Sequence, residues 1–213
     1  MTEAEWLACA DPVAMLDSMD RKISDRKTRL FACACCRHFS NLAVNEQFVQ
    51  AIETAEQFAD GLTSKAAMKR ARQSVRAIRH SLPDKSDLQW WAALWLAEVT
   101  NSENAYGQVA HEIKRFIAEG MLSVEYAPLG ADLIRCIIGN PFRPVRMEPS
   151  WTTPDVVALV RTLYASRNIE QLPMLADALE NAGCCNRDIL SHCRQPGLHV
   201  RGCWAVDLVL GRK

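Results

Sequence analysis

"FACACCRHF", Phe31–Phe39, places three cysteines and a histidine within nine positions. Such a stretch is a metal site, a redox site, a nucleophile, or a helix that buries sulfur. Helical geometry separates these readings, because each residue turns about 100°. With Arg26 as zero, Leu30, Phe31, Ala34, Cys35, His38 and Phe39 fall between about 40° and 220°. That arc is apolar and reads as the core face. Cys33 and Cys36 fall near 340° and 280°, beside Arg29 and Arg37, on the other side. One metal cannot take all four ligands from this helix. The stretch is therefore predicted to be an amphipathic helix, from about Asp25 to Asn41 with Ser24 as its cap, and it sets an all-α expectation for its surroundings.

The flanking sequence has the same period. "TEAE", Thr2–Glu5, fits a capping box. Asp11 and Pro12 fit an N-cap and a first helical position. Helices are further expected over about Glu46–Asp60, stopped by Gly61, and from Thr63 to Leu82. Others are expected in the tryptophan segment after Pro83, over about Ala105–Glu119, and in "LGADLIRCII". Pro141, Pro144, Pro149 and Pro154 then break the pattern, since proline removes a backbone donor and restrains the residue before it. Thr153 and Pro154 open a further helix. "LPMLADALENAG", "CNRDILSHCR" and "RGCWAVDLVLG" complete the chain. The expected fold is all-α: an irregular multi-helix bundle over 1–139, a proline-rich strap or hinge over 140–153, and a small helical C-terminal part over 154–213.

Composition narrows the function classes. The 213 residues carry 25 Lys+Arg against 25 Asp+Glu, 49% hydrophobic and 23% charged residues. That is the balance of a globular chain long enough to bury its own core, without the basic excess of a dedicated nucleic-acid binder. The acidic start "MTEAEWLACADP" does not resemble a signal peptide, and "WWAALWLA" is too short to span a bilayer. A cytoplasmic location is expected, with reduced thiols; nine cysteines also make a closed disulfide framework an unnatural reading.

The second concentration of ligand-type side chains lies near the C-terminus. Cys184, Cys185, His192, Cys193, His199 and Cys203 supply more than the four N/S donors that tetrahedral zinc needs. Their spacing is irregular, with no C-x-x-C pair followed by another compact pair. Core sulfur is the preferred reading, because free cysteine packs as a small hydrophobe. Zinc is the alternative, with Cys33 and Cys36 as further candidate ligands. Otherwise no cofactor is expected.

Two other features invite a partner. Lys65, Lys69, Arg72, Arg76 and Arg79 form a stripe within about 100° of arc, suited to phosphates or an acidic partner. The preceding helix carries Glu46, Glu53, Glu56 and Asp60, and pairing with these acids in a helical hairpin is the preferred account. In "NPFRP", Phe142 and Arg143 stand on a stiffened loop, either as an anchor for a partner or as a strap over the bundle. Phosphate-binding, dinucleotide-binding, nucleophile-elbow and H-E-x-x-H motifs are absent. Trp91 and Trp95, four apart, read as core at helical spacing, and Trp90 is then expected to point elsewhere, toward a partner.

The blocks "TEAEWLACADPVAML", "DRKTRLFACACCR", "GNPFRPV", "LPMLADALENAGC" and "ILSHCRQPGLHVRGCWAVDLVLG" together resemble a family of uncharacterised bacterial proteins, over about half of the chain. In that family a second arginine and an aromatic follow "CCR", where this chain has His38 and Phe39. The resemblance implies no activity. Its C-terminal block looks like a module also attached to other domains, which implies an interaction role. The expectation is a non-enzymatic cytoplasmic helical protein that contacts another protein. Zinc stabilisation and nucleic-acid backbone binding are the alternatives, and no membrane association is expected.

Overall fold

The computed structural model describes residues 1–19, 23–39, 45–81, 127–166 and 171–212. Among them it is all-α, with ten helices and no strand. We number these α1 (Glu3–Ala8), α2 (Pro12–Ser18), α3 (Asp25–Phe39), α4 (Glu46–Ala59), α5 (Lys65–Ser81), α6 (Ala127–Ile138), α7 (Pro154–Ser166), α8 (Leu172–Asn181), α9 (Arg187–Arg194) and α10 (Trp204–Leu210). None of the described helices is long and apolar enough to cross a membrane. The tryptophan segment and the helix expected over Ala105–Glu119 lie outside the described residues.

Backbone contacts divide the chain into two units. One comprises Met1–Ala8 and Asp132–Lys213, the other Cys9–Ala131. The proline-rich segment 140–153 lies within the first of these.

In the unit Cys9–Ala131, local signals start the helices. Asp11 accepts from the Val13 amide at 2.8 Å, and Pro12 follows at the first helical position, where its missing N–H costs nothing. Asn45 caps α4 through the Gln47 amide. α3, α4 and α5 pack in sequence, and α4 and α5 form the expected hairpin. Leu30, Phe31, Phe48, Ile52, Met68 and Val75 are buried there. Burial of each large apolar side chain contributes about 1.5–3 kcal/mol. Arg37 meets Glu56 through two hydrogen bonds, and Arg26 meets Asp60.

In the unit containing Asp132–Lys213, Thr2 and Glu5 form the capping box of α1: the Thr2 amide donates to Glu5, and the Glu5 amide donates to Thr2 Oγ1. Trp6 of α1 is buried, and its carbonyl accepts from Arg135 of α6 at 2.9 Å. α8 packs on α7 and α9, and α10 on α7 and α9. Leu133, Ile134, Ile137, Val160, Leu172, Leu175 and Ile189 fill the interior. The C-terminal segments are fastened by Tyr164 of α7. Its ring takes the guanidinium groups of Arg201 and Arg212 at 4.6 and 4.5 Å, contacts worth about 0.5–1 kcal/mol each where exposed.

Candidate metal centre

Three segments of one unit converge on a point. Cys136 sits in the last turn of α6, on the face that buries Leu133 and Ile137. Asn186 caps α9 through the Ile189 amide, and that helix turns Ile189, Leu190 and Cys193 inward. His192, 100° round from Cys193, is left half-buried and faces the turn that follows. His199 lies in that turn. Cys203 closes it, with its amide donating to Val200 O at 2.9 Å and its carbonyl accepting from Asp207 at 2.9 Å. Although Cys203 occupies the N-cap of α10, its side chain makes no capping hydrogen bond.

The four ligand atoms of Cys136, His192, His199 and Cys203 all lie within 4.8 Å of one another. His192 Nε2 is 3.1 Å from Cys203 Sγ, and His199 Nδ1 is 4.0 Å from Cys136 Sγ. Zn–S bonds of about 2.3 Å and Zn–N bonds of about 2.0 Å place tetrahedral ligand atoms roughly 3.3–3.8 Å apart. The observed separations bracket that range, so modest side-chain adjustment would close the tetrahedron. Both sulfurs are buried and both imidazoles are half-buried.

The electrostatics favour a cation. Burial drives the Cys203 thiol up, but hydrogen bonds from Cys136, His192 and His199 outweigh it and hold the group well below its ordinary 9.0. Burial opposes a charge on His199, yet its hydrogen bond to Cys203 raises it above its ordinary 6.5. Two soft sulfurs and two imidazoles with all four positions filled by protein are the donor set of structural zinc.

Of the residues singled out in the sequence, His192, His199 and Cys203 are brought together, and Cys184, Cys185 and Cys193 are not among them. Cys193 is fully buried, and burial pushes its thiol strongly up, followed by the neighbouring Cys203 and Cys184. Burial likewise raises Cys184, while Cys185 is exposed. The fourth member of the cluster, Cys136, was not among the residues expected from the sequence. It stands alone in an apolar helix, 63 positions from His199, and its only signal is that it is a cysteine.

α3 departs from its helical wheel in two ways. Cys33 and Cys36 were expected away from the core, but both are buried, because α4 covers that side and Cys33 Sγ lies 3.9 Å from Ile52 O. His38 was expected on the core face and is exposed. The helix is enclosed all round over Leu30–Cys36, and beyond that Arg37 is half-buried and His38 exposed. Among the described residues, no third ligand converges on Cys33 and Cys36. Burial raises the Cys35 and Cys36 thiols well above their ordinary value, with Cys33 adding to it. These are neutral core sulfurs.

The basic stripe lies along α5, with Lys65, Lys69 and Arg76 exposed and Arg72 and Arg79 half-buried. Of the acids on the preceding helix, Glu56 and Asp60 meet Arg37 and Arg26 of α3. In the proline-rich loop Phe142 is 43% exposed, and Arg143 pairs with Glu3 at 2.6 Å. Asn140 fixes the turn, accepting from the Phe142 amide and donating to Glu3. Comparison of the chain with protein-family models, with curated proteins and with solved structures gave no match.

Proposed function

We propose that Cys136, His192, His199 and Cys203 bind one zinc ion, and that the ion stabilises the helical unit built from Met1–Ala8 and Asp132–Lys213. The convergence of four N/S donors within 4.8 Å, drawn from α6, α9 and the turn before α10, carries this reading. Four protein ligands leave no open position for a substrate or an activated water, which makes the ion structural rather than catalytic. The free energy of binding then becomes folding free energy for the segments it joins. A unit stabilised in this way acts by presenting a surface, and the exposed Phe142 on its fixed turn is suited to contact with another protein. Reduced thiols are needed for the ligands, which fits a reducing compartment.

Elemental analysis of protein purified without chelator tests the proposal. About one zinc per chain is expected, falling to near zero in Cys136→Ser and Cys203→Ser. Less than about 0.1 zinc per chain, with no uptake by the reduced protein, would overturn it.

A further inference from the structure

The side of the cluster that faces outward is the histidine side, since Cys136 and Cys203 are buried and His192 and His199 are half-buried. What holds an imidazole there matters, because the outer torsion of histidine has broad, shallow preferences and packing must set it. His192 is held between two rings. Trp204 stands on one side, with centroids 5.0 Å apart and planes at 46°. His199 stands edge-on at 4.9 Å and 89°. Trp204 is the first helical residue of α10, directly after the ligand Cys203.

The indole occupies its place because position 139 has no side chain. A Cβ at Gly139 would lie 3.0 Å from Trp204 Cγ and 3.2 Å from Cδ2. Gly139 also ends α6, the helix of Cys136, with a φ of +78° and its amide donating to Arg135 O. One glycine thus closes the helix that carries one ligand and leaves room for the ring that abuts another.

We propose that Trp204 is the positioning residue of this centre: its indole, seated against Gly139, aims the His192 imidazole at Cys203 and shields the outward side of the ion from a fifth, water ligand. This rests on the metal reading above. Removing the indole frees the His192 ring to turn and lets water approach the ion. Losing an outer partner of a metal-bound histidine commonly weakens metal binding by about 10–100-fold.

Cobalt(II) is the probe, because its visible bands are intense in tetrahedral sites and weak when a water joins. The full-length reduced protein is titrated with Co²⁺, and affinity is read by zinc competition. Trp204→Ala is expected to bind about 10–100-fold more weakly, with reduced and shifted bands. Trp204→Phe, which keeps an aromatic wall, is expected to retain the tetrahedral spectrum. Wild-type bands and an affinity within about twofold in Trp204→Ala would overturn the proposal, as would equal losses in Trp204→Ala and Trp204→Phe. If Trp204→Ala does not fold, Trp204→Leu, which keeps an apolar side chain without the ring, decides: unchanged bands and affinity overturn the proposal, and weakened bands support it. A wild-type protein that takes up neither Co²⁺ nor Zn²⁺ overturns the metal reading itself, a result distinct from failure of the Trp204 variants alone.

Discussion

Two groups of cysteine and histidine lie in different units and behave in opposite ways. Phe31–Phe39 packs Cys33, Cys35, Cys36 and His38 into nine residues, yet the helix disperses them: three buried sulfurs and one exposed imidazole. Cys136, His192, His199 and Cys203 are scattered over nearly seventy positions, yet their ligand atoms share one point. Density along a helix works against convergence, because neighbours at 100° intervals point apart. Convergence needs separate elements aimed at each other, and here α6, α9 and the turn before α10 supply them. The second lesson is electrostatic. Burial, reinforced by neighbouring sulfur, raises a thiol, as at Cys35 and Cys36, whereas imidazole and thiol partners reverse that at Cys203.

The strongest way to break this comparison is to exchange a sulfur in each group. Cys203→Ser is expected to abolish zinc uptake and to cost the unit containing Asp132–Lys213 several kcal/mol, since structural zinc sites are worth on the order of 10 kcal/mol in small peptides. A midpoint loss of more than about 10 °C in the transition of that unit should accompany it. Cys35→Ser is expected to leave metal content unchanged. It places a hydroxyl among buried apolar groups and should cost about 1–3 kcal/mol by denaturant titration. Equal zinc loss in the two variants would erase the distinction between the groups.

An effect of similar size to that second one is expected at the ion pair that joins α3 to α4. Glu56 is buried and accepts two hydrogen bonds from Arg37 at 2.8 and 3.2 Å. Burial disfavours the Arg37 charge, but its hydrogen bonds to Glu56 outweigh that and raise its pKa. Glu56→Ala strands the guanidinium and should cost about 2 kcal/mol, with a positive coupling to Arg37→Ala in a double-mutant cycle. Zinc content should not change, which separates this unit from the one proposed to hold the metal.

How much of this was legible depends on whether the signal was local. Asp11–Pro12, Thr2–Glu5 and Thr153–Pro154 mark helix starts by chemistry that acts within one turn, and each helix starts where its signal stands. The helical period of "FACACCRHF" correctly made it a helix, but a wheel assigns one face to the core and could not foresee α4 covering the other. Three of the four converging residues were visible as candidates because they crowd one segment. Cys136 was not, since nothing within reach of it in the sequence is a ligand. Its partners are set by how α6 packs, which is a tertiary property. Likewise Gly139 resembles any helix-ending glycine until Trp204 is seen against it.

Arg194 offers a weaker contrast with the buried pair of α3 and α4. It meets Asp177 and Glu180 of α8, but all three side chains are largely exposed. Solvent screening leaves such pairs little, so Arg194→Ala should change stability by less than about 1 kcal/mol and leave zinc content unchanged. A larger loss by denaturant titration would mean that α9 depends on this pair for its placement, and through it His192.

The smallest effect is expected at α1, and it is one of pH. The Thr2 amide, then the Thr2 hydroxyl, hydrogen-bonds the Glu5 carboxylate and lowers its pKa below its ordinary 4.5. A carboxylate that is more acidic in the folded chain than in the unfolded one favours folding at pH above 4.5. That contribution falls away as pH drops through the lowered value, where Glu5 takes up its proton and the capping box opens. Glu5→Gln keeps the shape and an acceptor but removes the charge, so its stability should be flatter across the same acid window. Glu5 is exposed and α1 is one and a half turns long, so the difference should appear first as earlier amide exchange at Trp6 and only weakly in the global midpoint. Identical acid titration of exchange in the two proteins would show that the cap acts through its neutral hydrogen bonds alone.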